Sequence, residues 1–287
     1  MLATHSAEST GRFPPVCYHS SMPLPPDLDT AIDAAWAKAQ HVPGYIGDRE
    51  FRALAMLFAA VPAGGAAVEI GSFKGKSTVG LAAMSAHYGL GPVVSIDPHT
   101  APCETDPLLG DQDSSFEVFQ SSLREAGVEQ HVEVHRAFSR DVASGWNRPI
   151  RFLWIDGDHT YAGAKLDFDL FSPFLVDGAI VAIHDTLHEF EGPIRVFVEQ
   201  MLRSNQFGPA GLLHTIGWAK YLPHEGARFQ QQRERLARRA ARLIPLVREG
   251  RRVTGLRKML WKLECAFIPH PVLSPAEWES SALTPSR

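Results

Sequence analysis

Between residues 66 and 222, short continuous apolar runs alternate with segments of helical periodicity. Runs at 66–71, 92–97, 131–135, 150–156 and 178–184 have the length of buried strands, and a closely spaced last pair is expected at 212–216 and 218–222. Segments 74–87, 113–126, 162–176 and 192–204 carry their apolar residues at helical spacing. Strands apolar throughout, separated by helices, predict an α/β protein whose sheet is mostly parallel and covered on both faces. The last pair supplies an antiparallel edge.

The flanks read differently. Residues 1–26 hold Pro14, Pro15, Pro23, Pro25 and Pro26 without periodicity and are expected to form a flexible arm. Two N-terminal helices are predicted within 27–65, one with Leu28, Ile32, Ala35, Trp36 and Ala39 on a stripe, the other with Phe51, Leu54, Ala55, Leu57 and Phe58. The sheet domain then occupies 66–224, a basic helical extension 225–265, and a Pro- and Ser-rich loose tail 266–287.

One stretch carries most of the chemistry, Val68-Glu69-Ile70-Gly71-Ser72-Phe73-Lys74-Gly75-Lys76-Ser77-Thr78. It reads as a strand, a tight glycine turn and a helix N-terminus, a place where nucleotide-like ligands are held. The next strand ends in Asp97, 26 residues after Gly71, and a carboxylate there can accept hydrogen bonds from ribose hydroxyls. Gly75-Lys76-Ser77 matches the second half of a triphosphate-binding loop, but Ile70 stands where that loop needs its first glycine. Phe73 likewise breaks the dinucleotide pattern, and Glu69 would repel a triphosphate. A ligand with a cationic amino-acid end and an adenosine end suits the stretch, and S-adenosylmethionine is such a ligand. A P-loop-like nucleotide-binding protein stays as a rival, as does an ordinary strand-to-helix turn.

Composition narrows the class without choosing the chemistry. A chain of 287 residues, 45% hydrophobic and 21% charged with net charge −4, can bury one sizeable core with appendages. Cys17, Cys103 and Cys265 are too few and too scattered for a disulfide framework or a zinc site. No apolar run nears the roughly 18 residues of a membrane span, and the first residues lack a signal-peptide pattern. A cytoplasmic protein is expected.

In open α/β sheets ligands gather at the carboxyl ends of the strands. The fourth strand runs into Asp156-Gly157-Asp158-His159 and the fifth into His184-Asp185-Thr186. Ligands from two adjacent strand tips suit an octahedral Mg²⁺ or Mn²⁺, and the mixed oxygen and nitrogen set leaves Fe²⁺ or Zn²⁺ open. Bland readings stand beside these: Asp97 as a turn former before Pro98, Asp158 as an Asx-turn former beside Gly157, His159 as a structural histidine, His184 as support.

Glu69-Ile70-Gly71-Ser72, Ser95-Ile96-Asp97-Pro98, Ile155-Asp156-Gly157-Asp158-His159-Thr160-Tyr161 and His184-Asp185-Thr186, in this order, resemble the class I S-adenosylmethionine-dependent methyltransferases. Within them the set is similar to the metal-assisted O-methyltransferases related to catechol O-methyltransferase. The nearest branch holds macrolide-sugar methyltransferases, cephalosporin-hydroxylase-like proteins and mycobacterial polysaccharide methyltransferases. The resemblance covers about residues 60–222 and implies a Rossmann-like sheet. It implies that Glu69, Gly71, Ser72 and Ser77 line the methionine end of the cofactor, that Asp97 holds the ribose, and that Ser139 lies beside the adenine. It implies metal binding by Asp156 and Asp185, with His184 standing where catechol-type relatives have Asp. His159 falls where those relatives place a lysine and the macrolide-sugar relatives a histidine, which makes it the expected general base.

From Arg228 to Lys262 twelve Lys and Arg face Glu234 and Glu249, a net of +10 in a chain of −4, so the remainder carries −14. Arg235, Arg238, Arg239 and Arg242 share one helical face, and Leu236, Ala240, Leu243 and Val247 the other. Such a helix can meet an anionic membrane peripherally, an acidic partner, or the acidic body of its own or a neighbouring subunit. Docking within the chain or in a homo-oligomer is preferred, and nucleic acid is not expected.

The sequence thus predicts an O-methyltransferase acting on a small-molecule or oligosaccharide acceptor with S-adenosylmethionine and a divalent metal. A catechol or phenol O-methyltransferase and a non-catalytic partner protein of the same fold are the alternatives.

Overall fold

The computed structural model describes residues 24–61, 64–100, 114–247 and 253–278, positions 273 and 276 apart. Cys17, Cys103, the arm up to residue 23 and the end of the tail lie outside the described residues. Two helices, α1 (Leu28–Ala39) and α2 (Asp48–Ala59), precede an alternation of β1 (Ala66–Ile70), α3 (Lys76–Tyr88), β2 (Val93–Ile96), α4 (Phe116–Glu125), β3 (Val132–His135), α5 (Ser139–Ala143), β4 (Ile150–Ile155), α6 (Tyr161–Phe171), β5 (Leu175–Ile183) and α7 (Glu191–Val196). The hairpin β6 (Phe207–Leu213) and β7 (Ile216–Tyr221) comes next, then α8 (Gln230–Ala240) and α9 (Gly255–Ala266).

The seven strands form one sheet in the order β3-β2-β1-β4-β5-β7-β6. The first five are parallel, and β7 is antiparallel to both neighbours.

Successive strand side chains point to opposite faces, so the apolar runs build two cores. Val68, Ile70, Leu153, Ile155, Val181 and Ile183 face a core closed by α6, α7 and α8. Ala67, Phe152, Trp154, Ile180 and Ala182 face a core closed by α1, α2 and α3. Each large side chain buried in these layers contributes about 1.5–3 kcal/mol. The α2–α3 contact depends on Gly80, where a Cβ would lie 2.0 Å from the Phe51 ring. A glycine inside a helix costs about 1 kcal/mol, and the close approach it allows seats Phe51 fully out of solvent.

Element bounds differ from expectation where local chemistry overrides periodicity. β6 starts at Phe207 and the hairpin turns at His214-Thr215, whereas the apolar pattern placed the strands at 212–216 and 218–222. Gly208-Pro209 hides the strand signal, yet Pro209 is tolerated because β6 is an edge and its register shifts between Phe207 and Ala210. Helix α6 stops at Phe171 ahead of Pro173, so β5 begins earlier than predicted, at Leu175. The helix expected over 192–204 is α-helical only through Val196 and continues as a π turn over Phe197–Leu202. In its described part, the segment from 266 packs back on the body: Ile268 and Trp278 are buried, and Trp278 meets Trp218 edge to face at 4.7 Å.

Helix α8 does dock on its own chain. Ala237, Ala240, Leu243 and Val247 are buried in the first core, and Arg233, fully buried, locks the helix in place. Its guanidinium donates to the carbonyls of Leu202 (3.1 Å), Ser204 (2.9 Å), Gly208 (3.0 Å), Gly226 (2.7 Å) and Phe207. Those carbonyls come from the end of the π turn, the start of β6 and the turn before α8, so one buried side chain ties the three together. Replacing Arg233 by Met strands them, and the expected loss is about 3 kcal/mol or more of unfolding free energy. Exposed Arg235→Ala is expected to change stability by no more than about 0.5 kcal/mol. Chemical denaturation of both variants checks this, and equal, small losses would refute the role given to Arg233.

Candidate active site

Ile70 pairs with both Ile96 and Ile155, and Ile155 with Ile183, each at the last position of its strand. The four strands therefore end level, and Gly71, Asp97, Asp156 and His184 emerge side by side. Between β1 and β4 the strand order reverses, and a cleft of about 560 Å³ opens there. It is lined by Gly71, Ser72, Ser77, Asp97, Ser139, Asp156, His159, His184 and Asp185, nine of the ten residues expected from sequence. Glu69 is the exception.

The turn after β1 is built around the Asp97 carboxylate. Oδ2 accepts the backbone N–H of Ser72 and of Phe73, both at 2.8 Å, and Oδ1 accepts that of His99 at 2.6 Å. A carboxylate has about four acceptor positions, so one remains to face the cleft. Gly71 has φ +88°, and a Cβ on it would lie 2.2 Å from the Asp156 carbonyl oxygen, so only glycine lets the tips of β1 and β4 come this close.

The triphosphate reading fails here. The amides that would cradle a phosphate are taken by a carboxylate, and the Lys76 ammonium lies over the Trp36 ring, 5.4 Å from its centroid.

Glu69 sits behind the turn rather than in the lining. Strand alternation turns its side chain away from the cleft, and it is fully buried. Its carboxylate accepts from Ser77 Oγ (2.5 Å), Thr78 Oγ1 (2.5 Å) and Ser72 Oγ (3.3 Å), tying β1 to the first turn of α3. Burial, with the Asp156 charge adding to it, pushes the Glu69 carboxyl up to about 7 against these three hydroxyl donors.

On the other wall, charged groups from three elements converge. Asp156 Oδ1 is 2.9 Å from His184 Nδ1 and 3.6 Å from His159 Nε2. Asp185 Oδ2 is 3.4 Å from His159 Nε2, and its Oδ1 is 3.6 Å from His184 Nδ1. Glu50 reaches in from α2, with Oε1 3.7 Å from His184 Nε2 and 3.3 Å from His214 Nδ1. Two sets present ligand atoms within 4.8 Å of one another: Asp156, His159 and His184, and Glu50, His184 and Asp185. Carboxylate oxygens mixed with imidazole nitrogens are ligand types that could hold a divalent cation.

The electrostatics are mutual. Burial works against charge on His184 and His159, yet the adjoining Asp156 and Asp185 raise both imidazoles above their usual range, His184 strongly. Burial would raise Asp156 and Glu50, and the imidazoles beside them hold both carboxyls below it instead. Asp185 adopts φ +52°, and Phe73 and His99, also in the lining, adopt +48° and +53°. Non-glycine residues in this region mark places where the surroundings dictate the backbone.

The remaining candidates separate into lining and support. Asp158 forms an Asx turn, accepting from Thr160 N (2.9 Å) and Thr160 Oγ1 (2.9 Å), while Thr160 caps α6 through Gly163 N. Ser139 opens α5 and hydrogen-bonds Asp167, whose carboxyl burial pushes up to about 6. In the stretch that follows β5, polar residues His188, Glu189 and Glu191 do not join the lining; Glu189 pairs with Lys258 at 2.7 Å and Glu191 with Arg195 at 3.0 Å.

Sequence reasoning missed Glu50, Asp167 and the cleft mouth, where Tyr45 stacks on Phe73 at 5.9 Å and Phe138 is exposed. Tyr45 comes from the loop between α1 and α2, which no motif marks. Glu50 shares the first turn of α2 with Asp48, and nothing in the pattern marks which of the two carboxylates turns inward.

Comparison with known proteins places this geometry. Residues 68–186 match the family model described as a methyltransferase domain. The crystal structure of cofactor-bound Rv0187 from MTB is similar over 71% of this chain and 99% of that one, at 21% identity and a TM-score of 0.50. The O-methyltransferase NovP is similar over 68% of this chain and 98% of that one, at 12% identity and a TM-score of 0.52. At these identities the likeness is one of fold. Residues 68–186 are thus similar to a methyltransferase domain, and the chain shares its fold with these two structures.

The buried Glu69 generates a pH test. Its folded pKa lies near 7 against an ordinary 4.5, so the folded state keeps a proton that the unfolded state has released. Stability from this group is therefore lost as pH rises through about 7, by up to about 3 kcal/mol. Denaturation of wild type and Glu69→Gln at about pH 5 and about pH 8 should show the wild type losing ground to the variant at the higher pH. A constant difference between them would refute the assignment.

Proposed function

We propose that this protein transfers the methyl group of S-adenosylmethionine to a hydroxyl oxygen, with a divalent metal and His159 assisting, and that the acceptor is a saccharide or glycosylated metabolite. The observation that carries the reading is the convergence of His159, Asp156, Asp185 and His184 on one wall of the cleft whose other wall is the Asp97 turn. The methyltransferase-domain match supports methyl transfer, and the fold shared with NovP, an O-methyltransferase, agrees with oxygen as the accepting atom.

Gly71, Ser72 and Ser77 would hold the methionine end, Asp97 would accept a ribose hydroxyl, and Ser139 would border the adenine. Methyl transfer is an in-line displacement. An electron pair on the acceptor oxygen forms the new O–C bond as the C–S bond breaks, S-adenosylhomocysteine leaves, and the hydroxyl proton needs a destination. In its neutral form His159 would take it at Nε2, and Asp156 and Asp185, at 3.6 and 3.4 Å, would stabilise the imidazolium that results. The ring is kept in place by stacking on Phe190 at 4.7 Å and by Gly192 N–H donating to the His159 carbonyl at 3.1 Å.

Asp156 with His184, or Asp185 with His184 and Glu50, would hold a Mg²⁺ or Mn²⁺, which lowers the pKa of a hydroxyl it binds. A sugar alcohol gives up its proton far less readily than a phenol, so a base and a cation together suit the harder acceptor. The aromatic pair Tyr45–Phe73 at the mouth favours a second reading, a catechol or phenol.

Calorimetric titration with S-adenosylhomocysteine is the first test. Binding is expected, and Asp97→Ala should weaken it roughly 10- to 150-fold. No binding by the wild type would overturn the reading. With glycosylated and phenolic acceptors in a methyl-transfer assay, His159→Ala is expected to lower kcat about 10²- to 10⁴-fold while leaving cofactor affinity unchanged. Chelation, or Asp156→Asn and Asp185→Asn, should remove acceptor turnover before cofactor binding. Full turnover after chelation would remove the metal from the proposal, and turnover of phenols alone would select the second reading.

A further inference from the structure

Helix α9 carries a feature that the methyl-transfer site does not use. Leu256, Met259, Leu260, Leu263 and Phe267 recur at helical spacing and are 71%, 68%, 42%, 54% and 62% exposed. They form one continuous apolar stripe turned outward. The opposite side of the helix is the packed one, with Trp261 and Cys265 against the first core. Single exposed apolar residues need no explanation, but a contiguous stripe marks a surface with a partner.

The surroundings of the stripe indicate which partner. Helix α8 lies against the end of α9, joined by Arg242 to Glu264 at 2.7 Å and by Arg239 donating to the Phe267 carbonyl at 3.4 Å. These contacts bring Arg239 of α8 and Arg242 just beyond it to the end of α9, and Arg235 and Arg238, also exposed, share their helical face. Lys262 of α9 is exposed as well, and the nearby carboxylates Glu264 and Glu189 are already paired with Arg242 and Lys258. A second copy of the chain would bring two such arginine rows together, which like-charge repulsion disfavours. A convex apolar stripe with a cationic border fits a fluid anionic surface, where apolar side chains enter the acyl boundary and guanidinium groups meet phosphates.

We propose that α9, with the arginine row of α8, docks the protein peripherally on an anionic lipid bilayer. The apolar face foreseen on α8 is the buried one, so the stripe of α9 is what enters the lipid. No helix among the described residues is long and apolar enough to cross a membrane, so docking is at the surface. Lys258 ties α9 to Glu189, in the loop after Asp185, so the docked face and the cleft belong to one connected region. The proposal does not depend on the identity of the methyl acceptor.

The test is flotation of the full-length protein with phosphatidylcholine vesicles, with and without phosphatidylglycerol. Binding is expected to the anionic vesicles only, and to weaken as added salt shortens the screening length. Met259→Glu with Leu263→Glu should abolish it without altering thermal unfolding, because both side chains already face solvent. Arg238→Gln and Arg242→Gln should each weaken partitioning about fivefold. Absence of binding to anionic vesicles would overturn the proposal, as would equal binding to neutral ones. Overturning would also result if the stripe variants turned a dimer into a monomer in sedimentation while vesicles bound neither form, since a second copy would then be the occupant.

Discussion

The site rests on register. Four parallel strands end level because Ile70, Ile96, Ile155 and Ile183 pair at their last positions, so the residue after each isoleucine lines the cleft. A slip of one residue in a strand sends every side chain to the other face. In β4 that would exchange Ile155, in the core under α6 and α7, with Trp154, in the core under α1, α2 and α3. Both residues are almost wholly buried, so two full cores hold the register, and the register sets where Asp156 stands relative to Gly71 and His184. Packing far below the cleft thus fixes distances within it.

The N-terminal helices share in this. Glu50, in the first turn of α2, accepts from Gly47 N–H at 3.0 Å and from the Thr215 hydroxyl, and its carboxylate lies beside His184 and His214. Phe51 next to it is seated by the close approach at Gly80. The same helix therefore closes one core and adds a carboxylate to the charged wall. Three acidic groups gathered there would repel one another, and the paired imidazoles offset that by holding positive charge. A divalent cation among the same oxygens would serve the same electrostatic need, so the wall suits an ion-pair network and a bound cation alike.

Much of this was legible in the sequence because it is local. The strand tips, the Gly71 turn, Asp97 and Asp156 come directly after an apolar run, and Asp185 and His159 stand two and four residues past one, so periodicity locates them. The parts that were not legible are those where long-range contacts decide. Nothing in chain spacing ties Glu50 to Thr215, 165 residues away. Glu69 reads as a ligand group from its place beside the turn, yet period-two alternation directs it toward three hydroxyls on α3 and in the turn. The apolar faces of α8 and α9 look alike as patterns, and only packing distinguishes the buried one from the exposed one. Pro209 concealed the start of β6 because a proline weakens a strand signal that an edge strand can nonetheless tolerate.

The same logic explains why a turn carrying Gly75-Lys76-Ser77 is not a phosphate site. A helix N-terminus offers free amides and a positive potential, and an anion settles there unless the protein supplies one itself. Here Asp97 does so, taking the Ser72 and Phe73 amides at 2.8 Å each. With the Ser72 and Phe73 amides taken by a resident carboxylate, and Lys76 and Arg140 held over the rings of Trp36 and Phe138, the turn before α3 offers an anion fewer donors and cations. Asp156 and Asp185 make the opposite wall acidic too. Such a cleft disfavours triphosphates and favours ligands that bring hydroxyl groups and positive charge, and an adenosyl sulfonium with an amino-acid tail brings both. The choice between the two ligand classes thus lies less in the glycine turn, which they share, than in whether the second strand ends in a carboxylate that closes on it.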